Sequence, residues 1–141
     1  MGMYTQLHYG AQLRTDVPES VIEILKVMVG DEETVPTTLP DDPLFTHDRW
    51  RWMLQCDSYY FDYKTTHLLD FDEIAKQWWF NVTCNLKNYE DEIALFVRWI
   101  APYVDAEPGD FLGYHRYEED EAPVLLLYPC IEVPTSVKQG A

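Results

Sequence analysis

The sequence predicts an α+β fold: a mainly antiparallel sheet of about five to six strands with two amphipathic helices packed on one face. Three observations lead there. Alternating apolar and polar residues recur at 3–13, 66–72, 77–86, 110–117 and 123–128, the period of half-buried strands. Two other segments, 17–29 and 89–101, repeat their apolar residues at helical spacing. The links between neighbouring strands are short, which favours antiparallel pairing and leaves the helices to cover one side. Residues 1–141 read as a single α+β domain, with 130–141 as a flexible tail because little pattern follows Pro129.

Each element has a local cause. In "MYTQLHYGAQL", Tyr4, Gln6 and His8 alternate against Met3, Thr5, Leu7 and Tyr9. Asp16 is placed to open the first helix, with Pro18 in the first turn and Glu19 at the capping-box position. Val21, Ile22, Leu25, Met28 and Val29 form its apolar stripe, and Gly30 is a natural stop. Residues 31–46 make a long acidic loop, pinned by Leu39, Leu44 and Phe45. In "RWRWMLQC", Trp50, Trp52, Leu54 and Cys56 alternate and favour a strand, with a short helical turn around 46–51, capped by Thr46, as the other option. Trp78, Phe80, Val82, Cys84 and Leu86 share a core face, which puts Trp79 on the opposite one. Asn88 is placed to cap the second helix, whose stripe is Ile93, Phe96, Val97 and Ile100. The last two strands form a hairpin with Glu118–Glu121 at its turn.

Charge is the extreme property of this chain. Twenty-five acids face ten bases, for a net charge of −15. Nucleic-acid binding draws on Lys and Arg to neutralise phosphates, so direct nucleic-acid binding is not expected. The same sign argument excludes anionic membrane surfaces. No apolar run reaches the roughly 20 residues of a membrane span, and the start "MGMYTQLHYG" lacks the features of a secretion signal. Cys56, Cys84 and Cys130 are odd in number and in no CxxC spacing, so reduced thiols and a cytoplasmic location are expected.

No motif assigns chemistry. His115 with Glu118, and His67 with Asp70, have opposed strand parity and do not chelate together, and nothing matches HExxH, a zinc finger or an EF-hand. No serine sits in a GxSxG context, and the six glycines form no phosphate-cradling loop. No catalytic residue, metal or cofactor is therefore assigned. Arg49–Trp50–Arg51–Trp52 is read as tryptophans in the core and arginines pairing with acids.

"PLFTHDRWRWML", "SYYF", "FLGYHRYEEDEAPVLLLY" and the "MYTQLHYGAQL" start resemble small accessory proteins of bacterial and phage genomes. That resemblance implies an accessory protein of prophage type rather than a housekeeping enzyme, and carries no site residues. The expected function is a non-enzymatic acidic protein that binds a basic macromolecular surface, such as a toxin or a nucleic-acid-handling defence enzyme. Clustered carboxylates would steer such a partner. The expected contact residues are Glu118, Glu119, Asp120 and Glu121, with Tyr114, Tyr117 and Trp79 as aromatic anchors. The alternatives are a small enzyme or ligand-binding domain with an aromatic-lined pocket, and a structural or assembly protein made soluble by its acids.

Overall fold

The computed structural model describes residues 3–58 and 63–135. Eight principal elements run along the chain: β1 (Thr5–Gln12), α1 (Glu19–Val29), β2 (Thr66–Asp72), β3 (Gln77–Leu86), α2 (Glu92–Ile100), β4 (Phe111–Tyr117), β5 (Val124–Leu127) and β6 (Ile131–Pro134). The six strands form one antiparallel sheet in the order β2-β3-β1-β4-β5-β6, as the predicted α+β class requires. β1 lies inside it, with Thr5 opposite Leu86 on one side and Tyr117 on the other.

The alternation of β1 and β3 sends Leu7, Tyr9, Phe80, Val82, Cys84 and Leu86 into a single core with both helices. Phe96 of α2 is its hub: fully buried, it meets Tyr9 edge-on at 5.6 Å and tilts against Phe80 and Trp99. α1 begins two residues later than the sequence suggested. Pro18 takes the N-cap position without a side-chain cap, because Asp16 is held by Arg14 instead. Gly30 ends the helix as expected: at φ 87 its amide bonds the Val27 carbonyl while the Asp31 amide reaches Lys26.

Three expectations need correction. Residues 48–55 form short 3-10 turns, the other option the sequence offered for 46–51, not a strand. Trp50, Met53 and Leu54 are buried at i, i+3 and i+4, whereas Trp52, which the strand alternation counted as inward, is half exposed beneath the Arg51 guanidinium. Thr46 caps nothing there, since its hydroxyl donates back to the Pro43 carbonyl. α2 spans 92–100 rather than 89–101, because Asn88, Glu90 and Asp91 adopt left-handed backbone angles. Asn88 still serves that helix, its side-chain oxygen accepting the Ile93 amide at 2.9 Å. Within the segment expected to be a tail, 131–134 form β6 along β5, a pairing that a four-residue strand does not announce in sequence. The rest of that segment, 136–141, lies outside the described residues.

The acidic loop is pinned as anticipated. Leu44 is buried, and Phe45 packs edge-on against Trp50 and Trp99.

Candidate functional site

The turn between β4 and β5 carries the four consecutive acids. It is closed by backbone: the Asp120 amide donates to Tyr117 and the Arg116 guanidinium donates to the Asp120 carbonyl. Glu118 does not point freely outward. Its amide donates to the Tyr4 carbonyl and its carboxylate accepts the Tyr4 amide, tying the turn to the start of β1. Glu119, Asp120 and Glu121 stand in solvent. Tyr117 lies beside them, its phenol pushed above the ordinary range by partial burial first and then by Glu119, Glu118 and Asp120.

The other two anchors occupy the sheet face away from the helices. Tyr114 stacks on His8 at 5.4 Å, and His8 in turn bonds Thr83. Trp79 is 41% exposed opposite Asp70 and Gln12. Its indole N–H donates to Asp72, helping with the Ile74 and Ala75 amides to hold that carboxyl below its usual range. Trp79 is level with Gln12 whereas Tyr117 is level with Thr5. Seven residues of strand separate those levels, about 24 Å. Tyr117 joins the tip, Tyr114 lies midway, and Trp79 belongs to the far end.

Beside Tyr114 lies an apolar strip that sequence reasoning missed. An irregularity between Phe111 and Gly113 shifts the register of β4 and lets Phe111 and Tyr114 face the same way. Pairing then places Leu125 and Val133 beside Tyr114, and Leu127 and Ile131 beside Phe111. Phe111 is 60% exposed and Ile131 and Val133 are exposed as well. An apolar strip therefore crosses β4, β5 and β6 in two rows, the Tyr114 row nearer the acidic tip and the Phe111 row at the opposite end of the hairpin. Its signal in sequence was the apolar "VLLLY", whose odd-numbered leucines have no helix over them.

A second concave region opens beside Cys56. A pocket of about 250 Å³ is lined by Tyr4, Trp52, Met53, Leu86 and Tyr89, with Arg49 and Lys87 at its cationic side. Both cations lie over the Tyr89 ring, at 5.3 and 5.7 Å. The left-handed turn 88–91 forms one wall, held by Arg49 on the Tyr89 carbonyl and His47 on Glu90. Glu92 is buried there against Arg49 at 2.8 Å, and burial, only partly offset by Arg49, raises its pKa. Burial pushes the Cys84 thiol well up and Cys56 less so, while Cys130 is exposed.

The four histidines are dispersed, pairing with Thr83, Glu90, Asp31 and Glu132 respectively from His8 to His115. Among the described residues no three His, Cys, Asp or Glu converge as a metal site, and no helix is long and apolar enough to cross a membrane. Compared with known proteins, the chain matches no family model, no curated protein and no solved structure.

Proposed function

We propose that the chain is a non-enzymatic binding protein whose partner is a basic macromolecular surface. The observation that carries this reading is how its charges are distributed. Arg14, Arg49 and Lys76 are held in ion pairs, and Lys26, Arg51 and Lys87 lie over aromatic rings. The acid excess is left at the surface, with Glu119, Asp120 and Glu121 at the turn of the hairpin that also carries an exposed apolar strip. Protein interfaces combine an apolar centre, which supplies affinity, with charge at the rim, which supplies steering and discrimination. A toxin, or the nucleic-acid groove of a defence enzyme, would offer the complementary field.

The test begins with capture of partners at low and raised salt, followed by binding measurements on each purified partner. The neutral tip variant Glu118→Gln, Glu119→Gln, Asp120→Asn, Glu121→Gln should associate more slowly and lose most of the salt dependence, because screening acts over about 10 Å at 0.1 M salt. Phe111→Ser should accelerate dissociation. A partner set of acidic proteins, or an unchanged salt slope, would refute the reading.

A second reading is favoured by the aromatic pocket beside Cys56, whose strained left-handed wall is of the kind found at ligand sites. A small ligand that protects Cys56 from alkylation and shifts the Trp52 signal would support it.

A further inference from the structure

A wide concavity lies on the helix side of the sheet, at the edge opposite β6. It is a groove of about 750 Å³ between α1, the β2–β3 hairpin and the loop that follows α1. Its floor is Phe71 and Trp78, cross-strand partners whose rings meet edge-on at 5.4 Å. This pair is only partly buried, beside the edge strand. Three carboxylates rim the floor. Glu19 and Glu23 stand one turn apart on the exposed side of α1, and Glu32 arrives from the loop, fixed by accepting the Glu33 and Thr34 amides at 3.1 Å. Among the described residues Glu19 and Glu23 have no ion-pair partner.

One cation already uses this floor: the Lys26 ammonium lies 5.6 Å from the Trp78 ring centroid. The chain's own lysine thus marks a ring face that attracts positive charge. The groove has room for more than that single side chain.

We propose that this groove is a second contact with a basic partner, and that its occupant is an arginine side chain. A guanidinium is planar and weakly hydrated, so it stacks on an aromatic face where an ammonium serves only as a point charge. Its forked donors match carboxylates set around that face. Glu19 and Glu23 supply those acceptors from one helix face, and Glu32 closes the site from the loop side. The proposal rests on the preceding section only for the basic character of the partner. The groove lies by the β2–β3 hairpin and the acidic tip at the β4–β5 turn, so each can fail alone.

The probe is nona-arginine amide, with nona-lysine amide as comparison, followed by ¹⁵N-resolved NMR. Nona-arginine should shift the Trp78 indole N–H and the amides of Glu19, Glu23 and Glu32. Nona-lysine should do so more weakly. Glu19→Gln with Glu23→Gln should weaken arginine binding at these signals about tenfold, the scale of one charge-assisted contact. Both positions are exposed, so the fold is retained. Lys26→Met should tighten binding by clearing the Trp78 face, and Arg98→Gln, the same charge change on α2, should tighten it less. If the peptide shifts the Glu119, Asp120 and Glu121 amides while Trp78 stays fixed, the groove proposal is overturned and the basic-partner reading stands. If no signal moves with either peptide, both fall.

Discussion

Gly113→Ala is the sharpest probe of the sheet. Gly113 lies opposite Tyr9, the last pair of the β1–β4 register, with φ 156. A Cβ there would sit 1.9 Å from the His8 carbonyl oxygen and 2.9 Å from the Tyr9 Cα. Both obstacles are backbone, so no rotamer change relieves them. Restoring ordinary contact moves β4 away from β1 by about 1 Å or more. That stretches the ladder bonds around Tyr9↔Gly113, and the overpacking costs about 3 kcal/mol. With a urea m-value of about 1–3 kcal/mol/M, the midpoint falls by about 1–3 M. Gly109→Ala is the matched control: φ is also positive, at 92, but nothing lies within 4 Å of the new methyl. It keeps the conformational strain and lacks the collision, so about 1 kcal/mol is expected. Urea melts of both variants, followed by tryptophan fluorescence, decide the matter. Equal losses for the two would refute the close approach of β4 to β1.

Three further predictions follow from burial. Phe96→Ala should cost about 3–5 kcal/mol and Phe96→Asp should abolish cooperative folding, because the ring is the hub between Tyr9, Phe80 and Trp99; a cooperative melt of the Asp variant would contradict the core. Thiol labelling of the native protein should proceed in the order Cys130, Cys56, Cys84, and fast labelling of Cys84 would show that β3 opens readily. Glu92, raised above its ordinary 4.5, binds its proton more tightly folded than unfolded, so its contribution to stability falls as pH rises from 4.5 through the raised value. Glu92→Gln should flatten the stability profile in that window, and an unaltered profile would place the carboxylate in water.

The residues that could be read in advance are those whose neighbours lie close along the chain. The β2–β3 hairpin was legible to the residue, since both strands alternate and a four-residue turn joins them. α1 and α2 were legible in their stripes but not their starts, where Arg14 takes Asp16 and the left-handed Asn88 turn shortens the helix. The turns at 48–55 were misread because two tryptophans at alternate positions imitate a strand while only Trp50 is inward. At the candidate surface, the exposed acids were legible from Glu119, Asp120 and Glu121 alone. The separation of Trp79 from them was not, because it depends on which strands flank β1. The strip through Phe111 was hidden by a register shift, and the groove by a cross-strand pair that meets a helix some fifty residues earlier, a distance no local periodicity reports.

The central place of β1 also orders events while the chain is being made. Its two neighbours, β3 and β4, are encoded far downstream, so β1 is synthesised early and then waits. Its first pairing needs Leu86 to be available and its second needs Tyr117. Closing such long loops costs entropy before any ladder bond is gained, which places this sheet among slow, high-contact-order topologies. During that interval the backbone of Thr5–Gln12 is a strand with two open edges, the state in which wrong partners are recruited. The β2–β3 pairing is local and so closes the shorter loop, and its β3 edge is the one on which β1 docks.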